Sequence, residues 1–397
     1  MTVSFWQQNT REAEVSCDIA VVGGGIIGCS TAYWLRHLRP GLRVAMVEAG
    51  RLAQGASGRN AGFLLQGTAH DYLSDRETYG DDATRRLWHF TKENRDLIAS
   101  ELRSALFNLE ASGSLSVAGT EEEDERMQAA VPFMRADGAP VAYIPPLETN
   151  RRLTAQGFFG SLYIPSGATL HPAKLVQHIA EASEARVLTH HRVVAIETQG
   201  EQVVLETPVR RIRAGQVVLA LNAYLPLLFP QLSRYVQPVR AQMFATRPLR
   251  PRWLPLPVYS HEGYFYLRQL KDGTVLLGGA RHLHRAVEVG YEDTTTPALQ
   301  KDLLAYFHHH FSQTREAQVA QRWSGTMGFS PDRLPVIGAV PGVPGSVWAA
   351  GFTGHGMGYG FRFGKLLAEV ALEEPRPAGL DLFSVSRFEE PAAVAAE

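Results

Sequence analysis

Apolar and polar positions change period several times along this chain, and each change marks an element. An unbroken apolar run, Ile19 to Val22, has the pattern of a strand covered on both faces. From about Ile26 to Arg39, the apolar positions Ile27, Trp34, Leu35 and Leu38 recur at roughly helical spacing. Pro40-Gly41 then stops that helix before a second strand, Arg43 to Val47. Residues 83–109 read as a long polar helix, and Glu121 to Glu125 as the start of another, because carboxylates favour a helix amino end. After Ser166 comes a turn and a helix led by Pro172. Arg192 to Glu197 and Gln202 to Thr207 alternate as strands, and Ala214 to Leu221 is a buried strand that ends at Asn222-Ala223. Alternation dominates residues 235–320, where Gly263 to Arg268 and Thr274 to Gly279 flank a Lys271-Asp272-Gly273 turn. On that hairpin Tyr264, Tyr266 and Arg268 share one face. A last apolar strand near Val347 feeds a glycine-rich turn and a helix from Tyr359 to Leu372.

Between the first strand and its helix stand Gly23, Gly25 and Gly28, at GxGxxG spacing. A tight turn, close approach to a pyrophosphate and close helix-to-strand packing each require a missing side chain. Glu48 closes the second strand, about twenty residues beyond the last glycine, where an acid can hold a ribose diol. Strand, turn, helix, strand and acid in that order predict a dinucleotide site. The acid disfavours a 2′-phosphate and leaves FAD or NAD.

Composition removes other classes. With 39 basic and 40 acidic side chains and a net charge of −1, no global field draws the chain to nucleic acid or anionic lipid, so the expected partner is a small molecule. No run of about 18 apolar residues is present, and residues 1–16 lack the apolar core of a signal peptide. Phe5 and Trp6 in that leader are expected to pack on the body. The two cysteines, Cys17 and Cys29, fit small buried thiols in a reducing, cytoplasmic setting. His308, His309 and His310 are adjacent, so a helix would point them apart, and no metal site is expected. At 397 residues two domains are expected.

The segment after Glu48, EAGRLAQGASGRNAGF, reads as a loop against a ligand, and it resembles FAD-dependent amine and amino-acid oxidoreductases of the D-amino-acid oxidase and glycine oxidase superfamily. The His171-Pro172 motif, WSGTMGFSPDRLPVIG and AAGFTGHGMGYG extend the resemblance to the carboxy-terminal end, and are most similar to the gamma-glutamylputrescine oxidoreductase branch. The resemblance implies an α/β fold: a Rossmann-like FAD-binding domain (1–75, 155–230 and 322–397) with an interleaved α+β substrate domain built on an antiparallel sheet (76–154 and 231–321). It implies non-covalent FAD contacted by Gly23, Gly25, Ile26, Ile27, Gly28 and Glu48. Ala49, Arg51, Ser57, Gly58, Arg59, Asn60, Ala61 and Gly62 follow along the loop toward the flavin. Val193 and Val194 would meet adenine, and Ala220 and Asn222 would pass near the dinucleotide. Gly325, Gly351, Phe352, Gly354, His355, Gly356 and Met357 would close over the flavin.

The same resemblance implies oxidation of an amine carbon–nitrogen bond by hydride transfer, with oxygen or another electron acceptor. His355, Arg268 and Tyr266 are the candidate catalytic side chains. Relatives acting on α-amino acids place an arginine for the carboxylate where this chain has Met327, and glycine oxidases another near Gly354. Either the substrate lacks an α-carboxylate, or Arg268 or another base supplies the charge from elsewhere. Some oxidases also hold a lysine beside the flavin where this chain has Leu276, in a stretch without a cation, which implies slow reaction with oxygen. A D-amino-acid or glycine oxidase or dehydrogenase, and a flavoprotein subunit with structural FAD, stay open as alternatives.

Overall fold

The computed structural model describes residues 4–6, 12–375 and 377–388. Among these residues the chain forms two eight-stranded sheets and a short two-stranded pair. The first sheet is centred on Val15–Val22, with Val44–Val47 parallel on one side and Arg211–Leu219 parallel on the other. Arg186–Leu188 and Ser346–Ala350 extend the parallel row at either side. Both faces of such strands must be covered, and alternate side chains enter different cores. Ile19, Val21, Val44 and Met46 pack with the helices Ile26–Leu38, Pro172–Ala182 and Gly356–Ala371. Ala20, Val22, Ala45 and Val47 face the opposite core, closed by the strand Gln202–Glu206 and by Leu225, Leu232 and Tyr235.

Sequence-distant helices join through bare backbone. A side-chain carbon on Gly360 would lie 2.4 Å from Ile26 and one on Gly364 2.3 Å from Ser30, so only glycine lets the helix Gly356–Ala371 lie this close to Ile26–Leu38. Trp34 Nε1 donates to the Phe361 carbonyl at 3.0 Å across the same contact. Asn94, on the helix Asp81–Glu101, accepts from the Phe361 and Arg362 amides at 2.7 and 3.0 Å and donates to the Met357 carbonyl at 3.1 Å.

The second sheet runs in the order Val319–Phe329, Gln237–Thr246, Val275–Gly279, Phe265–Gln269, Val258–Ser260, Ser114–Val117, Ser161–Ile164 and Ala142–Ile144. Its pairs are antiparallel except Val258–Ser260 with Ser114–Val117. One face buries Phe244, Leu267 and Leu277 against the helix Pro297–His310. Of the segments expected in the first unit, 155–230 and 322–397, the strand Ser161–Ile164 and the part of Val319–Phe329 beyond residue 321 pair within the second sheet. Several expected boundaries move. The long helix stops at Glu101, and the strand expected from Arg192 is Ala195–Gln199. Phe5 and Trp6, expected to pack on the body, are 67% and 76% exposed and meet each other edge-on. The other leader residues up to Arg11, apart from Ser4, lie outside the described part.

Candidate functional site

The first glycine turn is built for close contact. Gly23 has φ of 116°, and a Cβ on Gly28 would sit 1.9 Å from the Gly23 carbonyl oxygen, so the helix can start here only on glycine. A Cβ on Gly25 would stand 2.9 Å from Ser57 Oγ, which itself accepts the Ile26 amide at 2.9 Å. Glu48 lies beside this turn, its two oxygens accepting the Gly24 and Gly50 amides at 2.7 Å each. Bare backbone at Gly25, Ile26 and Ile27 opens on a cavity with an acid at the adjoining strand end, which fits a dinucleotide. The chain after Arg186–Leu188 returns past Glu48, whose carbonyl accepts the His191 amide at 2.8 Å. Val193 and Val194 follow; neither lines the cavity, and the Val194 amide donates to the Glu206 carbonyl at 2.9 Å.

The segment 49–62 is not an open loop throughout. Ala56–Arg59 forms one helical turn, and Asn60 holds it by donating to the Ala56 and Ser57 carbonyls while accepting the Gly62 amide. Arg59 is committed to Asp293 at 2.6 Å and to the Ser324 carbonyl at 2.9 Å. Ser57, Arg59, Asn60 and Ala61 line the cavity; Ala49, Arg51, Gly58 and Gly62 do not, and Ala49 and Arg51 are exposed.

The cavity measures about 660 Å³ and lies between the two sheets. Ala220, Asn222, Phe352, Gly354, His355, Gly356 and Met357 reach it from the first unit, and Gly351 is fixed behind them by Asn222 Oδ1 at 3.0 Å. Gly325, Met327 and Phe329 alternate onto it from one strand of the second sheet. Met327 and Gly354 adjoin: a Cβ on Gly354 would be 3.5 Å from the Met327 sulfur. Phe63, Tyr259 and Tyr266 form an aromatic wall, with Tyr259 and Tyr266 ring centroids 6.1 Å apart. Burial pushes the Tyr266 hydroxyl up to about 12 and the Tyr259 hydroxyl up as well.

His355 faces this wall. Its Nδ1 lies 3.3 Å from the Thr353 carbonyl, which can only accept, so Nδ1 carries the proton and Nε2 is left to the Tyr259 hydroxyl at 3.5 Å. Burial, with a lesser push from His70, brings its pKa down to about 4 against the Thr353 bond. The ring is therefore neutral at pH 7.

Arg268 shares the Tyr266 face, yet it is absent from the cavity lining. Its Nη1 donates to the carbonyls of Ala61, Gly62 and Leu170 at 3.2, 3.1 and 3.0 Å, and burial lowers its pKa to about 10. It braces the segment under the site and is not placed to meet a substrate carboxylate. Leu276 is also off the cavity, and its cross-strand neighbour is Arg268, so that stretch does have a cation beside it.

Sequence reasoning missed several lining residues: Phe63, His70, Tyr259, Arg281, Arg285 and Arg333. Arg333 lies within a quoted motif, but nothing in its spacing points inward. Behind His70, Asp75 is fully buried, accepting from Thr68 Oγ1 at 2.5 Å and Trp88 Nε1 at 3.1 Å, with His70 Nδ1 3.7 Å away. Burial raises the Asp75 pKa from 3.8 to about 7 against those two hydrogen bonds. A raised folded pKa means the native state holds a proton that the unfolded chain has lost, so stability falls as pH climbs from about 4 to about 7. Thermal melts across that range should show the decline, on the order of a few kcal/mol, and Asp75→Asn should flatten it. An equal slope in the variant would assign the dependence to other groups.

A family model described as FAD dependent oxidoreductase matches residues 18–370. Glycine oxidase of Geobacillus kaustophilus is 27% identical over 93% of this chain and 97% of its own length. Gamma-glutamylputrescine oxidoreductase of Escherichia coli is 26% identical over 91% of this chain and 85% of its own. Among solved structures, the Geobacillus kaustophilus glycine oxidase aligns with a TM-score of 0.80 at 24% identity, over 94% of this chain and 99% of that one. The L-proline dehydrogenase from P. horikoshii gives 0.79 at 21% identity, covering 95% and 99%. The structural likenesses carry the fold.

Proposed function

Because the chain belongs to the FAD dependent oxidoreductase family, matched over residues 18–370, we propose that it oxidises the carbon–nitrogen bond of a small amine. Bound FAD supplies the hydride acceptor, and the imine left behind is hydrolysed by water to a carbonyl compound and ammonia or an amine. Oxygen or another acceptor takes the electrons afterwards. The observation that carries this reading is the cavity where Gly25 to Ile27 and Phe352 to Gly358 meet the wall of Phe63, Tyr259 and Tyr266.

In this proposal the first sheet and its glycine turn hold the dinucleotide, with Glu48 on a ribose, and the second sheet covers the substrate. The aromatic wall receives the alkyl carbons and keeps water from the reacting carbon. A carbon loses hydride readily only beside an unprotonated nitrogen. His355, neutral and with both ring nitrogens turned to the protein, at Thr353 and Tyr259, adds no positive charge beside such an amine. A cytoplasmic setting is proposed on Cys17 and Cys29, both buried and unbridged.

Anaerobic mixing of purified flavoprotein with a panel of amines and amino acids tests the reading by flavin absorbance. Bleaching by amines is expected. No bleaching by any compound would sink it and favour a subunit with structural FAD. Met327 beside Gly354 gives an apolar spot where relatives are expected to hold an α-carboxylate. Glycine and short D-amino acids should therefore bleach the flavin more slowly than longer amines, by roughly ten- to a hundredfold for one missing charge-assisted hydrogen bond. Faster reaction with glycine would restore the amino-acid alternative.

A further inference from the structure

One side of the cavity carries positive charge that the protein leaves unanswered. Arg281, Arg285 and Arg333 all line it; Arg281 is half-buried, whereas Arg285 and Arg333 are exposed. Arg285 Nη2 donates to the Tyr264 hydroxyl at 2.8 Å. The Arg281 guanidinium lies over the Phe329 ring, 4.8 Å from its centroid. Among the described residues, neither Arg281 nor Arg333 has a side-chain hydrogen bond or a carboxylate partner. Burial lowers the Arg281 pKa; Tyr264 and Tyr266 work against that shift, and Arg285 and Arg333 add to it.

Arg333 reaches the cavity from a turn. Its φ is 64°, a left-handed position where an L side chain costs on the order of 1 kcal/mol relative to glycine. The carboxylates that share the cavity do not neutralise these cations. Asp71 and Glu77 are bridged by Arg126 at 3.4 and 3.3 Å, and Glu262 is exposed.

We infer that the substrate carries a carboxylate remote from the oxidised nitrogen, gripped by Arg281 with Arg333 and Arg285 around it. This rests on the amine reading and specifies its substrate. Remoteness follows from the strand: Phe329, under Arg281, is two residues, about 7 Å, along from the apolar spot at Met327. A carboxylate on the reacting carbon would meet the methionine, whereas one at the far end of a short alkyl chain would meet a planar guanidinium able to bind both oxygens.

The test compares 5-aminopentanoate with pentylamine, which share a chain length and differ in the terminal carboxylate. The wild-type holoenzyme should prefer 5-aminopentanoate in kcat/KM, and Arg281→Met should lower that preference roughly ten- to a hundredfold, mainly through KM. A preference unchanged in Arg281→Met would overturn the inference while leaving amine oxidation standing. No bleaching by either compound while another amine of the panel bleaches the flavin would also overturn the inference; no bleaching by any amine would instead overturn the amine reading. Binding decides the anion site without turnover: pentanoate should raise the melting temperature of the wild-type holoenzyme and not of Arg281→Met, and equal shifts would overturn it. Should Arg281→Met fail to fold, Arg281→Lys, which keeps the charge and loses the fork, should retain only part of the preference; full retention would count against the inference.

Discussion

A Glu48→Ala variant should emerge from purification largely stripped of flavin, with its FAD dissociation constant raised roughly ten- to a hundredfold. The estimate rests on one charge-assisted hydrogen bond to a ribose diol, about 1.5–3 kcal/mol. The carboxylate also does local work, since it accepts the Gly24 and Gly50 amides at 2.7 Å each and so fixes the turn against the loop that follows it. Glu48→Gln, which keeps an acceptor and loses the charge, should lie between. The ratio of flavin to protein absorbance reads the outcome. Full occupancy in Glu48→Ala would remove the acid from the cofactor site. Gly25→Val should bind still less, because the new side chain meets Ser57 Oγ and fills the opening in front of the helix.

The largest loss of stability is expected from Arg240→Met. Arg240 and Glu288 are 3% and 0% exposed and meet at 2.8 Å, with Gln242 and Thr296 donating to the other Glu288 oxygen at 2.8 Å each. Burial alone would raise the Glu288 pKa, but the Arg240 bond and its companions bring it below the ordinary carboxylate range. A carboxylate held low stabilises the fold above its unfolded pKa and loses that contribution as pH falls. Removing the arginine leaves a buried charge without its partner, a cost of about 3–5 kcal/mol. Because the stranded carboxylate would then prefer its neutral form, the deficit should be larger at pH 7 than at pH 5 in urea titrations. A deficit independent of pH would point to lost packing. The same pair pins the segment that carries Arg281, Arg285 and Asp293, so substrate preference should suffer with it.

The first unit was legible because its signals are local: apolar strand, glycines, helix and acid follow one another within about thirty residues, and each has one physical reading. The cavity's far wall was not. Tyr259 sits on a strand of three residues, Val258–Ser260, too short to show a period, and its neighbours come from parallel pairing with Ser114–Val117. Arg268 shows the opposite failure: period two put it on the right face, yet a long side chain is as free to brace backbone carbonyls as to face a ligand. Ser161–Ile164 changed sheets for a similar reason, since its partners Ser114–Val117 and Ala142–Ile144 are set by pairing across loops.

The interleaving of the first sheet also dictates an order of events during synthesis. Val15–Val22 pairs with Arg211–Leu219, which pairs in turn with Ser346–Ala350, and the helix Gly356–Ala371 seals against Ile26–Leu38 through Gly360 and Gly364. At about 5–20 residues per second, the ribosome makes the carboxy-terminal partners some 20–60 s after the glycine turn. Until then that turn lacks half its support and the nascent sheet has an apolar flank with nothing on it. Loading of the cofactor is therefore expected to be a late step that waits on these partners, and removal of the chain from Gly356 onward should abolish it even though every residue of the amino-terminal motif is intact.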